Sequence, residues 1–214
     1  MNLTVALDPG QRVDPAALVI VERLETARDE PLADRGSRFD VVHAQQWGLG
    51  TPHPQVVADA VALMNAPPLS PWYPFCFDET GIGAAYADLF HMERVKGRLS
   101  RPIGVTITGG TSSNGRHVSK RMMVGRYEAK LSSGLIAIRD IHMKDEIAKQ
   151  HERFRASISR NGTDTYAAEG SDHDDLILAL MIATYGGGAG AGTPRYLARN
   201  GQIYESFAMS DDAY

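Results

Sequence analysis

Leu3-Thr4-Val5-Ala6-Leu7 runs directly into Asp8-Pro9-Gly10. Five strand-forming residues stop at an acid, and Pro-Gly breaks the strand immediately after it. A carboxylate in that position stands at the edge of a sheet, where a site can form. Two further acidic segments lie downstream. Pro74-Phe75-Cys76-Phe77 ends in Asp78-Glu79-Thr80-Gly81-Ile82-Gly83, and Ser171-Asp172-His173-Asp174-Asp175 opens the apolar helix Leu176-Ile177-Leu178-Ala179-Leu180-Met181-Ile182-Ala183. Three converging carboxylates would repel one another unless cations sat between them. Hard divalent ions prefer such oxygen ligands and need few of them from protein.

The same residues have plainer uses. Asp8 with Pro9 and Gly10 makes an ordinary turn. Asp174 and Asp175 complement a helix dipole. Adjacent helical residues point about 100° apart, so one of this pair faces a metal and the other lies beside it. His173 touches a phosphate, orients a carboxylate, or is a plain surface histidine.

Composition is that of a soluble globule: 214 residues, 43% hydrophobic and 22% charged. No apolar run approaches the roughly 20 residues of a membrane span. No signal peptide precedes the first strand, and the one cysteine, Cys76, sits inside an apolar strand. A cysteine-based zinc site and an intrachain disulfide are excluded, and a cytoplasmic setting is expected. The net charge of -4 is unevenly spread: residues 94–160 hold 15 of the 22 Lys and Arg and five of the 26 acids. A basic middle beside acids gathered elsewhere suits a polyanion held next to a metal site, or a set of solvated helix faces.

Periodicity predicts strands at 3–7, 16–21, 39–47, 73–77, 103–108 and 135–138, with 22–37 as a charged loop. Helices are expected at 54–64, 83–93, 119–131, 143–158 and 174–185. The first two strands form an antiparallel hairpin. Strand–helix alternation then implies a mixed sheet with helices on both faces. Residues 1–185 are read as one domain, and 186–214 as a Gly-rich linker and flexible tail. Gly110-Thr111-Ser112-Ser113-Asn114-Gly115-Arg116-His117 nearly spells a phosphate-binding P-loop. That motif ends in Lys followed by Ser or Thr. Arg116 and His117 stand there instead, so ATP hydrolysis is not expected.

Several motifs together resemble the nuclease domain of the large terminase subunit of tailed bacteriophages. They are Val5-Ala6-Leu7-Asp8-Pro9-Gly10, Phe77-Asp78-Glu79-Thr80-Gly81-Ile82-Gly83 and Val105-Thr106-Ile107-Thr108-Gly109-Gly110. Val118-Ser119-Lys120-Arg121-Met122-Met123-Val124, Ser133-Gly134-Leu135-Ile136-Ala137-Ile138, Glu146, Phe154 and His173-Asp174-Asp175-Leu176-Ile177-Leu178-Ala179-Leu180 follow in the family's order. The family often has Pro where Ser119 stands.

The resemblance implies a ribonuclease H-like, mixed five-stranded sheet and cleavage of double-stranded DNA during viral genome packaging. It implies two divalent cations, Mg²⁺ or Mn²⁺. Asp8, Asp78 and Asp174 match the family's metal-binding, catalytic carboxylates, with Asp175 beside them. Asp8 is the expected bridging ligand, with Asp78 on one ion and Asp174 on the other. Lys120, Arg121 and Arg126 are candidates for contact with DNA phosphates, and His173 for a supporting role. The motor that terminases carry ahead of the nuclease is not matched. An ATPase domain or subunit is therefore an expected partner, with portal and small terminase subunit as further ones. A Holliday-junction resolvase-like nuclease and a non-catalytic DNA-binding packaging protein are the alternatives.

Overall fold

The computed structural model describes residues 2–10, 14–25, 37–69, 73–111, 113, 116–158, 164–168, 174–186, 195–199 and 202–206. The strands are β1 (Leu3–Asp8), β2 (Ala17–Glu25), β3 (Ser37–Gln46), β4 (Phe75–Asp78), β5 (Ile103–Thr108), β6 (His117–Ser119) and β7 (Ile136–Ile138). They form one seven-stranded sheet in the order β6-β5-β4-β1-β2-β3-β7. β1–β2 and β2–β3 are antiparallel, and the other pairings are parallel. The helices are α1 (His53–Asn65), α2 (Gly83–Val95), α3 (Lys120–Ser132), α4 (Lys144–Arg153) and α5 (Asp175–Gly186).

The mixed sheet with helices on both faces is as expected, but its width is not: seven strands replace five. The five-strand body β5-β4-β1-β2-β3 gains β6 at one edge and β7 at the other. Each of these has three residues, too few to display a period. β2 also runs on through Glu22–Glu25, inside the stretch expected to be a loop. These residues pair with Ser37–Asp40 at the far end of the hairpin. The helix expected at 143–158 ends at Arg153, and β8 (Phe154–Ile158) follows, paired with β9 (Asp164–Ala168). Phe154-Arg155-Ala156-Ser157-Ile158 lacks the helical stripe that Ile147 and Gln150 begin. Within the tail, β10 (Arg195–Arg199) and β11 (Gln202–Ser206) pair as a hairpin. Residues 187–194 and 207–214 lie outside the described residues.

Two cores sandwich the sheet. On one face Val5, Leu7, Leu18, Ile20, Phe75 and Phe77 pack against α1 and α2. The Phe90 ring stands edge-on to Phe75 at 4.7 Å and tilted to Phe77 at 5.3 Å. On the other face Ala6, Ala17, Val19, Val21 and Cys76 pack against α3, α4 and α5. α5 is buried along nearly its whole length, with Leu176, Ile177, Ala179, Leu180, Met181, Ile182 and Ala183 all inside. Lys130 Nζ donates to the Thr184 carbonyl at 2.5 Å and satisfies the carboxyl end of α5. Burial pushes the Cys76 thiol up to about 12, so it is inert packing.

Two polar groups inside β3 shape stability. Asp40 is fully buried and pairs with Arg38 at 2.8 Å and with Arg139, which joins the end of β7 to β3. Among the described residues the buried Nε2 of His43 finds no hydrogen-bond partner, and burial holds its imidazole below its ordinary pKa. The fold therefore accepts the neutral ring. Its contribution is present above the unfolded value of about 6.5 and is lost as pH falls through the folded value. The urea midpoint of the protein is expected to fall on acidification from neutral pH, and to fall less in His43→Leu. Parallel declines in both proteins would remove His43 from the account.

Candidate metal centre

The sheet's register builds the site. β1 and β4 run parallel with Val5 beside Phe75, Ala6 beside Cys76 and Leu7 beside Phe77. One step further, Asp8 lies beside Asp78. Side chains alternate across a strand. Both acids therefore project to the face that carries Ala6 and Cys76, which is the α5 face. On the other side Asp8 pairs with Ala17, and Ala17 pairs with Gln46 at the end of β3. Asp78, Asp8, Ala17 and Gln46 thus form one row across four adjacent strands. Ala17 is fully buried, and its small side chain leaves room above the row.

α5 begins over that room. Asp175, its first residue, is 2% exposed, and Gln46 Nε2 donates to its Oδ2 at 3.3 Å. Asp174 precedes it and is half-buried. The helix start is fixed from α4, where Gln150, itself buried, accepts from the Leu176 amide at 3.1 Å. That bond satisfies one of the amide donors which a helix leaves open at its N-terminus.

Local chemistry holds the two strand-end acids. The Thr80 amide donates to Asp78 Oδ1 at 2.7 Å. The Thr80 hydroxyl accepts from the Ile107 amide at 2.8 Å, which ties this turn to β5. Gly83 allows α2 to start against the end of β4, since a Cβ there would lie 2.0 Å from the Asp78 carbonyl oxygen. Gly10 plays the same part for β1: a Cβ would lie 2.1 Å from the Ala16 amide nitrogen.

Electrostatics show that the acids act on one another. Asp8 is 8% exposed. Burial, then the charges of Asp78, Asp175 and Asp174, push its carboxyl well above the usual carboxylate range, and Lys120 opposes them. Burial also raises Asp78, against hydrogen bonds from Thr80 and the charge of Lys120. A half-buried lysine at the first position of α3 thus acts on this cluster, and Ser119 caps that helix. The Tyr86 hydroxyl, buried and without a hydrogen-bond partner among the described residues, is pushed up to about 12 by burial and then by Asp8.

Asp8, Asp78, Asp174 and Asp175 are therefore brought together, with Lys120 beside them. Arg121 is exposed on the first turn of α3. Arg126 is elsewhere: its guanidinium lies 4.9 Å from the centre of the Tyr185 ring, at the far end of α5 from the acids. His173 lies outside the described residues. Gln46, Gln150, Ala17 and Tyr86 join the site without a signal in the linear sequence.

The donors are all oxygens and carry like charge, which fits hard divalent cations. Among the described residues no three His, Cys, Asp or Glu side chains are already closed around a single ion position. The carboxylates are gathered but open.

No family model and no curated protein matches this sequence. Solved structures do. The large terminase nuclease of thermophilic phage G20c superposes with a TM-score of 0.61 over 86% of this chain and 81% of that one, at 16% identity. The fold is that of a large terminase nuclease. The same phage protein with bound magnesium gives a TM-score of 0.60 over 86% of this chain and 80% of that one, at 17% identity. The nuclease domain of the large terminase from bacteriophage SPP1, with bound manganese, gives 0.53 over 86% of each chain at 15% identity. At these identities the likeness is one of fold. Among the described residues no helix is long and apolar enough to cross a membrane.

Proposed function

We propose that this chain is a divalent-metal-dependent endonuclease that cuts double-stranded DNA during viral genome packaging. One observation carries the reading. Acids from β1, β4 and the start of α5 meet over one row of a terminase-nuclease fold, and Asp8 is pressed by the other three charges. Bound there, Mg²⁺ or Mn²⁺ would supply an activated water and neutralise charge at the scissile phosphate. Asp8, Asp78 and Asp174 would hold such ions, and Asp175, which accepts from Gln46, would orient the cluster. Lys120 faces the phosphate whose charge the carboxylates would otherwise repel. An ATPase domain or subunit, the portal and a small terminase subunit are the partners this role implies.

Supercoiled plasmid incubated with Mn²⁺ or Mg²⁺ tests the reading. Nicking or linearisation is expected, and EDTA should stop it. Uncut plasmid at every metal concentration, with DNA still bound, would instead indicate a non-catalytic packaging protein. Strong preference for four-way junctions over linear duplex would indicate a resolvase. ATP is expected to make no difference, and no DNA-stimulated ATP hydrolysis should accompany the protein. Hydrolysis that vanishes in Arg116→Ala would overturn that expectation.

Lys120→Ala is expected to weaken cleavage more than it weakens duplex binding, because Lys120 acts beside Asp8 and Asp78. Equal losses in the two assays would make it an ordinary backbone contact.

A further inference from the structure

The opposite face of the same strand end carries a second charged feature. A cleft of about 210 Å³ opens between α2 and β5, and Glu79, His91, Arg94, Arg101, Gly104 and Arg116 help to line it. Arg94 comes from the last turn of α2, Arg101 from the approach to β5, and Arg116 from the residue before β6. The Arg116 carbonyl accepts from the Thr106 amide at 2.9 Å, so that segment is fixed to β5. Arg116 belongs to the stretch that nearly spells a P-loop.

Among the described residues, none of these three guanidiniums makes an ion pair or a side-chain hydrogen bond. All three are exposed, and together they give this concavity a positive potential. Glu79 does not neutralise them. Its carboxylate lies against the backbone of β5, where a Cβ on Gly104 would come within 2.0 Å of Oε2. The cleft thus keeps an excess of positive charge, in planar groups suited to phosphate oxygens. It also begins one residue from the carboxylate row, because Glu79 follows Asp78.

We propose that this cleft binds the phosphodiester backbone of a nucleic-acid strand lying along the α2 face beside Phe77 of β4 and the start of β5. The proposal rests on the nuclease reading for its substrate. The cleft positions the backbone and reads no bases.

The test measures duplex binding by the full chain in EDTA over a range of salt concentrations. Arg101→Ala/Arg116→Ala is expected to weaken binding about tenfold at low salt and to flatten the salt dependence by about two contacts. Arg101→Lys/Arg116→Lys should recover most of the affinity, which separates charge from fold. Lys144→Ala/Lys149→Ala removes as much charge from α4 and should leave the salt slope unchanged. Wild-type affinity and slope in the arginine-to-alanine pair would overturn the proposal, as would equal losses in the α4 pair. Inorganic phosphate that raises the melting temperature through these arginines, with duplex binding untouched, would make the cleft a free-anion site and also overturn it. Plasmid cleavage separates the two readings. A wild type that cuts, with an arginine pair that binds normally, removes only the cleft. A wild type that never cuts, with an arginine pair that binds poorly, removes the nuclease and leaves the cleft.

Discussion

Asp8→Asn is expected to lower metal-dependent plasmid cleavage by at least about a hundredfold, and to do so in a protein that melts higher than wild type in EDTA. The first effect follows from position. Asp8 is the middle of the row, and losing even an outer partner of a metal ligand typically costs about 10- to 100-fold. The second follows from electrostatics. A buried carboxylate pressed by Asp78, Asp175 and Asp174 destabilises the metal-free fold, and asparagine keeps the shape without the charge. Mg²⁺ or Mn²⁺ should then raise the melting temperature of wild type, since a ligand that binds only the folded state stabilises it. The variant should show a smaller rise. Asp78→Asn and Asp174→Asn should share the loss of activity. Full cleavage by all three variants, or wild-type cleavage that persists in EDTA, would end the metal-centred account.

Gly83→Ala should separate precise placement of the site from its mere presence. A methyl at this position would lie 2.0 Å from the Asp78 carbonyl oxygen and 2.8 Å from its carbonyl carbon. Both are backbone atoms, so neither swings aside. The start of α2 or the end of β4 must move, at a cost of roughly 1–3 kcal/mol of stability. Asp78 moves with the strand end, so cleavage should fall even where the variant is fully folded. Gly81→Ala is the comparison. Gly81 has φ +58° with nothing within 4 Å of an added Cβ. Its penalty is backbone strain alone, about 1 kcal/mol, and cleavage should largely survive. Similar activity losses in the two variants would mean that the turn, not the helix–strand contact, sets the position of Asp78.

The parts of this site that the sequence exposed share one property: an apolar run that stops at an acid. Asp8 and Asp78 are read that way because strand and carboxylate are contiguous. Asp174 and Asp175 were legible as a pair but not individually. Helical geometry turns one away from the other, and only the packing of α5 on β1 and β2 shows that Asp175 is the more buried. Gln46 and Gln150 were invisible because each becomes meaningful through a residue more than twenty positions away. Among the lysines and arginines of the basic middle, local charge made Lys120, Arg121 and Arg126 equivalent. Tertiary structure separates them: Lys120 lies beside the acids, while Arg126 stacks on Tyr185. The two edge strands escaped notice because three residues cannot show alternation.

The long separation of the acids along the chain has a consequence for synthesis. Asp8 and Asp78 can come together once β1, β2 and β4 have paired. Asp174 and Asp175 arrive only after nearly a hundred further residues have been made, and α5 must then dock on strands that are already in place. Such late, non-local closure is slow compared with forming the hairpin. A nascent or partly folded chain therefore carries the acids without the centre, and the proposed cutting would have to wait until α5 packs.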